Sequence, residues 1–148
     1  MNLVFLTLLK TQQVYVILGG SSASNFNNYF YNATNNNVYS FDNGWVTAQS
    51  PMPGGDGTKG SPWAQLGDTL YRYYNQEIYF IDCARINASI VDWNKKGEYY
   101  SLANNCLDIA SNFSNRYSVL WQEGPQDNYY SYNSNYFLDT IKELIRPK

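Results

Sequence analysis

The chain has 148 residues, 44% of them hydrophobic and 18% aromatic, which fits a single domain with a sizeable core. It contains no histidine, so a Ser-His-Asp triad, a Cys-His pair and imidazole metal ligation are excluded for this chain acting alone. Charge is sparse: 12 acids face 10 bases and charged residues make up 15%, under the roughly 25% of an average domain. With Arg72, Arg85, Arg116 and Arg146 scattered, a nucleic-acid partner is not expected.

In chain order, the run Leu3 to Leu9 followed by Lys10 resembles the apolar part of a signal peptide. Residues 1–13 are read as its remnant and residues 14–148 as the domain. No apolar run reaches the 18 or so residues of a membrane span, so none is expected. The first strand is Val14-Tyr15-Val16-Ile17-Leu18, an uninterrupted β-branched and aliphatic run of the kind buried on both faces, and it ends at Gly19-Gly20. Residues 25–60, with Pro51, Pro53 and five glycines, read as one long irregular loop, and a loop of that length in a compact domain often carries function. Polarity comes from amides and phenols, 19 Asn beside 15 Tyr. Runs such as Asn25 to Phe30 and Asn128 to Tyr136 read either as solvated loops or as an aromatic sugar-binding surface.

Pro62 suits the start of a helix, and Trp63, Leu66, Leu70, Tyr73 and Tyr74 recur along one helical face. A second strand, Ile78-Tyr79-Phe80-Ile81, runs into Asp82-Cys83-Ala84. A second helix is marked by Leu102, Cys106, Ile109 and Phe113. A third strand, Tyr117 to Trp121, stops before Gly124-Pro125, and a third helix carries Leu138, Ile141, Leu144 and Ile145. Strands alternating with helices indicate a parallel sheet with crossover helices. The pattern expects a further strand after the last helix, so the domain reads as incomplete at its C-terminus.

Asn32, Asn87 and Asn112 each open an N-x-S/T glycosylation acceptor. Cys83 and Cys106 are an even pair: bridged, they would add roughly 3 kcal/mol on the chain-entropy treatment, and unbridged they would be two buried thiols. These signals agree with a secreted or cell-surface glycoprotein. Asp42, Asp56 and Asp68 lack a calcium-loop spacing, and no phosphate-cradling glycine loop follows Leu18, so no metal and no cofactor are expected. Glu98, Asp108 and Asp139 read as solvated charges.

Ligands of open α/β sheets gather at the carboxyl ends of the strands. There the first strand delivers Gly19-Gly20-Ser21-Ser22-Ala23-Ser24, a turn able to present a serine hydroxyl. Ile17-Leu18-Gly19-Gly20-Ser21-Ser22-Ala23 resembles the nucleophile block of the SGNH-hydrolase carbohydrate esterases, the group that includes sialate O-acetylesterases and acetylxylan esterases. Later blocks follow in order: Val38 to Trp45 with Ala48 to Pro51, Gly60 to Ala64 with Leu66 and Leu70, Ile81 to Ala84 through Ile90 and Trp93, and Val119 to Asp127. Residues 41–53 also look like one kelch blade, but no repeat supports a propeller.

The resemblance implies a flavodoxin-like three-layer α/β/α sandwich with a parallel sheet, and Ser21 as nucleophile. It implies oxyanion donors from the serine amide, a glycine amide in the second conserved block and an amide side chain in the third. Here Ile86 and Asn87 replace the glycine pair and Glu123 replaces the glutamine, while Asp127 matches a family aspartate as a supporting residue. Loss of one oxyanion donor typically costs about 3 to 4 kcal/mol in the transition state. The expected function is a carbohydrate O-acetylesterase-like protein, inactive as this chain, that faces an O-acetylated glycan. The alternatives are an active serine esterase whose Asp-His pair comes from another segment, and a glycan-binding or structural surface glycoprotein.

Overall fold

The computed structural model describes residues 12–122, 125–129 and 131–146. The run from Leu3 to Lys10 lies outside these residues. Gln12 and Gln13 already belong to the first strand, paired with Glu77 and Ile78, so that strand begins before Val14.

The elements run β1 (Gln12–Gly19), β2 (Val38–Phe41), β3 (Trp45–Thr47), α1 (Trp63–Tyr74), β4 (Glu77–Asp82), a 3-10 turn (Ile90–Trp93), α2 (Tyr100–Phe113), β5 (Ser118–Gln122), α3 (Pro125–Tyr129) and α4 (Ser134–Ile145). They form one five-stranded sheet in the order β3-β2-β4-β1-β5. β1 is parallel to both β4 and β5, β2 is parallel to β4, and only β3 is antiparallel, to β2. The three strands and three helices expected from periodicity are all present, in a mixed, mostly parallel α/β sheet.

The expectation for residues 25–60 needs correction, because β2 and β3 form a hairpin within them. Its turn is Asp42-Asn43-Gly44, with Asn43 at φ 51° and the Asp42 N–H donating to the Gly44 carbonyl at 2.7 Å. Strands of four and three residues are too short for alternation to register, but Asn-Gly between apolar residues is itself a hairpin signal. The sheet therefore contains a fourth parallel strand, which comes early in the chain.

Alternation along the long strands splits the core into two layers. Val14, Val16 and Leu18 of β1 join Ile81, Trp93, Ala103, Leu107 and Leu144 on the face covered by α2 and α4. Ile17 joins Val38, Trp63, Ala64, Ile78 and Phe80 on the face covered by α1. Fully burying one such aliphatic side chain is worth about 1.5 to 3 kcal/mol, so both layers contribute substantially. Cys83 is bridged to Cys106, tying the end of β4 to α2.

α1 sets Trp63, Leu66 and Leu70 against the core as expected, but the expected face fails at its C-terminal end. Tyr73 and Tyr74 are exposed, while Ala64, Gly67 and Asp68 are buried. The reason is close approach: a Cβ on Gly67 would sit 2.3 Å from Val38 Cγ1 and 2.8 Å from the Phe80 ring. On α4, likewise, Leu138 and Ile145 are exposed and Leu144 is buried.

Candidate functional site at the ends of β1 and β5

Order reverses at β1. The chain passes from β1 to β4 on one side and from β4 to β5 on the other, so the carboxyl ends of β1 and β5 flank a topological switch point, where ligands of such sheets bind. Gly19 makes this point narrow: its φ is 121°, and a Cβ there would lie 2.1 Å from the Gln122 carbonyl oxygen. The Gly20 N–H donates to that same oxygen at 2.8 Å. Glycine is thus required where β1 leaves the sheet against β5, and Ser21 and Ser22 follow at once.

A pocket of about 150 Å³ opens there, lined by Gly20 to Ser22, Asn87, Ala88, Gln122 and Gln126. Ser21 Oγ accepts the Asn87 backbone N–H at 2.9 Å. Among the described residues, the Ser21 hydroxyl proton and the backbone N–H groups of Ser21 and Ser22 are given to no protein acceptor. None of the described side chains lining the pocket titrates.

Asn87 holds φ 59°, the left-handed region that glycine favours and Asn tolerates best among other residues. In that conformation its backbone N–H is directed at Ser21. Gln122 and Gln126 bring two amide side chains to the pocket, whereas the resemblance implies an amide at position 123, which here is Glu. The register Gly19↔Gln122 explains their presence: it sets the end of β5 beside the turn that carries Ser21. Glu123 lies outside the described residues.

Asp127 is turned elsewhere. Its Oδ1 accepts the Ile90 N–H at 2.6 Å, closing α3 onto the 3-10 turn, and burial pushes its carboxyl up, against the pull of that N–H. Asp82, fully enclosed at the end of β4, is raised well above the usual carboxylate range by burial, with the Ala84 N–H and Arg85 pulling the other way. Its Oδ1 accepts from the Ala84 N–H at 3.0 Å, and its Oδ2 has no partner among the described residues. Asp42, Asp56 and Asp68 do not gather, and among the described residues no cluster of metal-ligating side chains forms. Asp56 bonds Ser24 and the Ile86 N–H. Asp68 accepts from the Tyr31 hydroxyl, the Thr34 N–H and hydroxyl, and the Asn35 N–H. Burial pushes Asp68 up, but those bonds outweigh it and hold the carboxyl below its ordinary value.

Asn32, Asn87 and Asn112 are all exposed. Asn87 stands on the rim of the Ser21 pocket. A wider groove of about 1170 Å³ lies at the opposite end of β1, between Gln12, Gln76 and residues 111–118, away from the switch point.

No protein-family model and no curated protein sequence matches the chain. A crystal structure of the Arabidopsis thaliana protein AT4G34215 is similar in fold, with a TM-score of 0.73 at 16% identity, covering 89% of this chain and 67% of that one. At that identity the likeness shows a shared α/β fold and nothing about activity. Among the described residues, no helix is long and apolar enough to cross a membrane.

Proposed function

We propose that the chain is a carbohydrate O-acetylesterase-like domain of the SGNH type whose Ser21 pocket receives the acetyl group of an O-acetylated sugar without hydrolysing it. The observation that carries this reading is the Ser21 hydroxyl itself, held at the switch point beside the Asn87 N–H in a pocket lined by neutral amides and hydroxyls. Helices on both faces of a mostly parallel sheet, α1 on one and α2 with α4 on the other, support the three-layer reading.

The pocket's size selects the group it takes. Sites for drug-sized ligands occupy about 300 to 1,000 Å³, so a pocket of about 150 Å³ suits a small neutral acyl group, with the sugar ring left outside. The N–H groups of Ser21 and Ser22, given to no acceptor among the described residues, and the Gln122 and Gln126 amides supply hydrogen bonds for its carbonyl. Hydrolysis needs more: a base must take the serine proton as the oxygen attacks. The chain has no histidine, and the described pocket lining offers no carboxylate or amine. The Cys83–Cys106 bridge and the exposed sequons fit a secreted or cell-surface protein.

The test is acetate release from an aryl acetate by the wild type and by Ser21→Ala. Equal rates, at the uncatalysed background, are expected. Release that depends on Ser21 would contradict the binding-only reading and assign turnover, with a base supplied from elsewhere.

A further inference from the structure

Three large rings project from the loop that follows the Ser21 turn. Phe26, Tyr29 and Phe30 are 52%, 61% and 56% exposed, and solvent-facing aromatics this close in sequence would ordinarily be expected on a mobile segment. The loop is instead tightly fixed. Asn25, wholly buried, donates to the Met52 carbonyl at 2.8 Å and accepts the Met52 N–H at 2.7 Å. Asn27 and Gly60 exchange backbone bonds of 3.0 and 2.7 Å. Gly60 packs so closely that a Cβ would lie 1.5 Å from the Tyr29 carbonyl oxygen.

The rings are oriented as well as anchored. Tyr29 stacks on Tyr31 at 6.4 Å with an interplanar angle of 28°, and the Tyr31 hydroxyl is fixed by Asp68 at 2.8 Å. Lys59 Nζ sits 4.9 Å from the Phe26 ring centre and covers one face of that ring. Tyr29 is therefore set against Tyr31 on one side while most of its ring stays open to solvent. Asn28, which precedes Tyr29 in the chain, is exposed, and Asn27 donates to the Ser22 carbonyl at 3.2 Å, tying this loop to the wall of the Ser21 pocket.

We propose that Phe26, Tyr29 and Phe30 form a saccharide-stacking platform that holds a pyranose ring of a neutral oligosaccharide next to the Ser21 pocket. A pyranose offers a flat array of C–H groups that lies on an aromatic face, with hydroxyls at its edge for amides such as Asn28. The surface suits that chemistry: flat rings on an anchored loop whose ordering cost is already met by the fold, with Asn28 exposed beside them and Lys59 held on the Phe26 ring. A protein partner held by hydrophobic contact would favour an apolar patch with a hot-spot pocket, whereas among the described residues no main pocket is lined by these rings and the exposed amide of Asn28 lies beside them in the chain. The proposal deepens the reading of Ser21 as an acetyl pocket and rests on it for the position of the sugar.

The experiment is a glycan array carrying oligosaccharides with and without O-acetyl groups, probed with the wild type, Tyr29→Ala/Phe30→Ala, Tyr29→Trp and Ser21→Trp. The double alanine variant should lose at least tenfold in affinity for both acetylated and unacetylated forms at an unchanged melting temperature, while Tyr29→Trp retains binding. Ser21→Trp, which fills the pocket, should remove only the preference for the acetylated form. Binding that is independent of acetylation yet lost with the rings would sink the acetyl-pocket reading and keep the platform. No wild-type binding above background, or binding indifferent to the double alanine change, would overturn the platform. Concentration-dependent self-association lost in the double variant would also overturn it, by assigning the rings to a protein contact.

Discussion

Ser21 and Ser24 lie three residues apart beyond the end of the same strand, yet their hydroxyls do different work. Ser24 is fully buried: its Oγ bonds the Asp56 carboxylate, approaches the Ala84 carbonyl at 2.9 Å and accepts the Asp56 N–H at 3.0 Å. Ser21 accepts a single backbone N–H and faces the pocket with its proton uncommitted among the described residues. One turn thus contains a committed anchor and an available group. The position of the available group depends on the anchor and on the glycine that lets β1 leave the sheet.

The contrast is broken most severely at Gly19. Gly19→Ala sets a Cβ 2.1 Å from the Gln122 carbonyl oxygen at φ 121°, and neither backbone can give cheaply. A loss of about 3 kcal/mol or more in urea unfolding is expected, with loss of the Ser21 pocket. A stability within about 1 kcal/mol of wild type would show that β1 and β5 are not so closely packed there.

Replacing each serine by alanine sharpens the comparison directly. Ser24→Ala leaves the Asp56 N–H and carboxylate short of a partner and should cost about 2 kcal/mol. Ser21→Ala strands only the Asn87 N–H at an exposed residue and should change stability by about 0.5 kcal/mol or less. Equal losses for the two variants would contradict the division of roles.

The smallest effect is a pH slope at Asp82. In acid the carboxyl is protonated in both the folded and the unfolded chain, and its burial carries no ionic cost. As pH rises past the ordinary carboxylate value near 4, the unfolded chain ionises while burial still opposes ionisation in the fold, so stability falls until the raised folded value is passed. Asp127 adds a slope of the same sign, and Asp68, held low, one of the opposite sign. Asp82→Asn should therefore melt higher than wild type at pH 7, with the gap closing near pH 3. A gap independent of pH would remove Asp82 from this account.

Much of the fold was legible in the sequence, because strands buried on both faces leave unbroken apolar runs at Val14 to Leu18 and Ile78 to Ile81. The hairpin of β2 and β3 was missed because its strands are short. On α1 the spacing marks Trp63, Leu66 and Leu70 but not Gly67, whose lack of a side chain permits the close approach to Val38 and Phe80. At the site, Gly-Gly-Ser after an apolar strand marked Ser21. Gln122 was not legible, since its place comes from the pairing of β5 with β1, and the cap that Asp127 makes on Ile90 joins residues 37 apart with no local signal.

The most direct measurement of the central claim is an amide NMR titration of the uniformly 15N-labelled protein with an O-acetylated oligosaccharide and with its deacetylated form. The account predicts saturable shifts at Ser21, Ser22, Asn87, Ala88, Gln122 and Gln126 with the acetylated form that the deacetylated form does not produce. Unmoved resonances at these six positions, or identical shifts with both forms, would contradict an acetyl-binding pocket at Ser21.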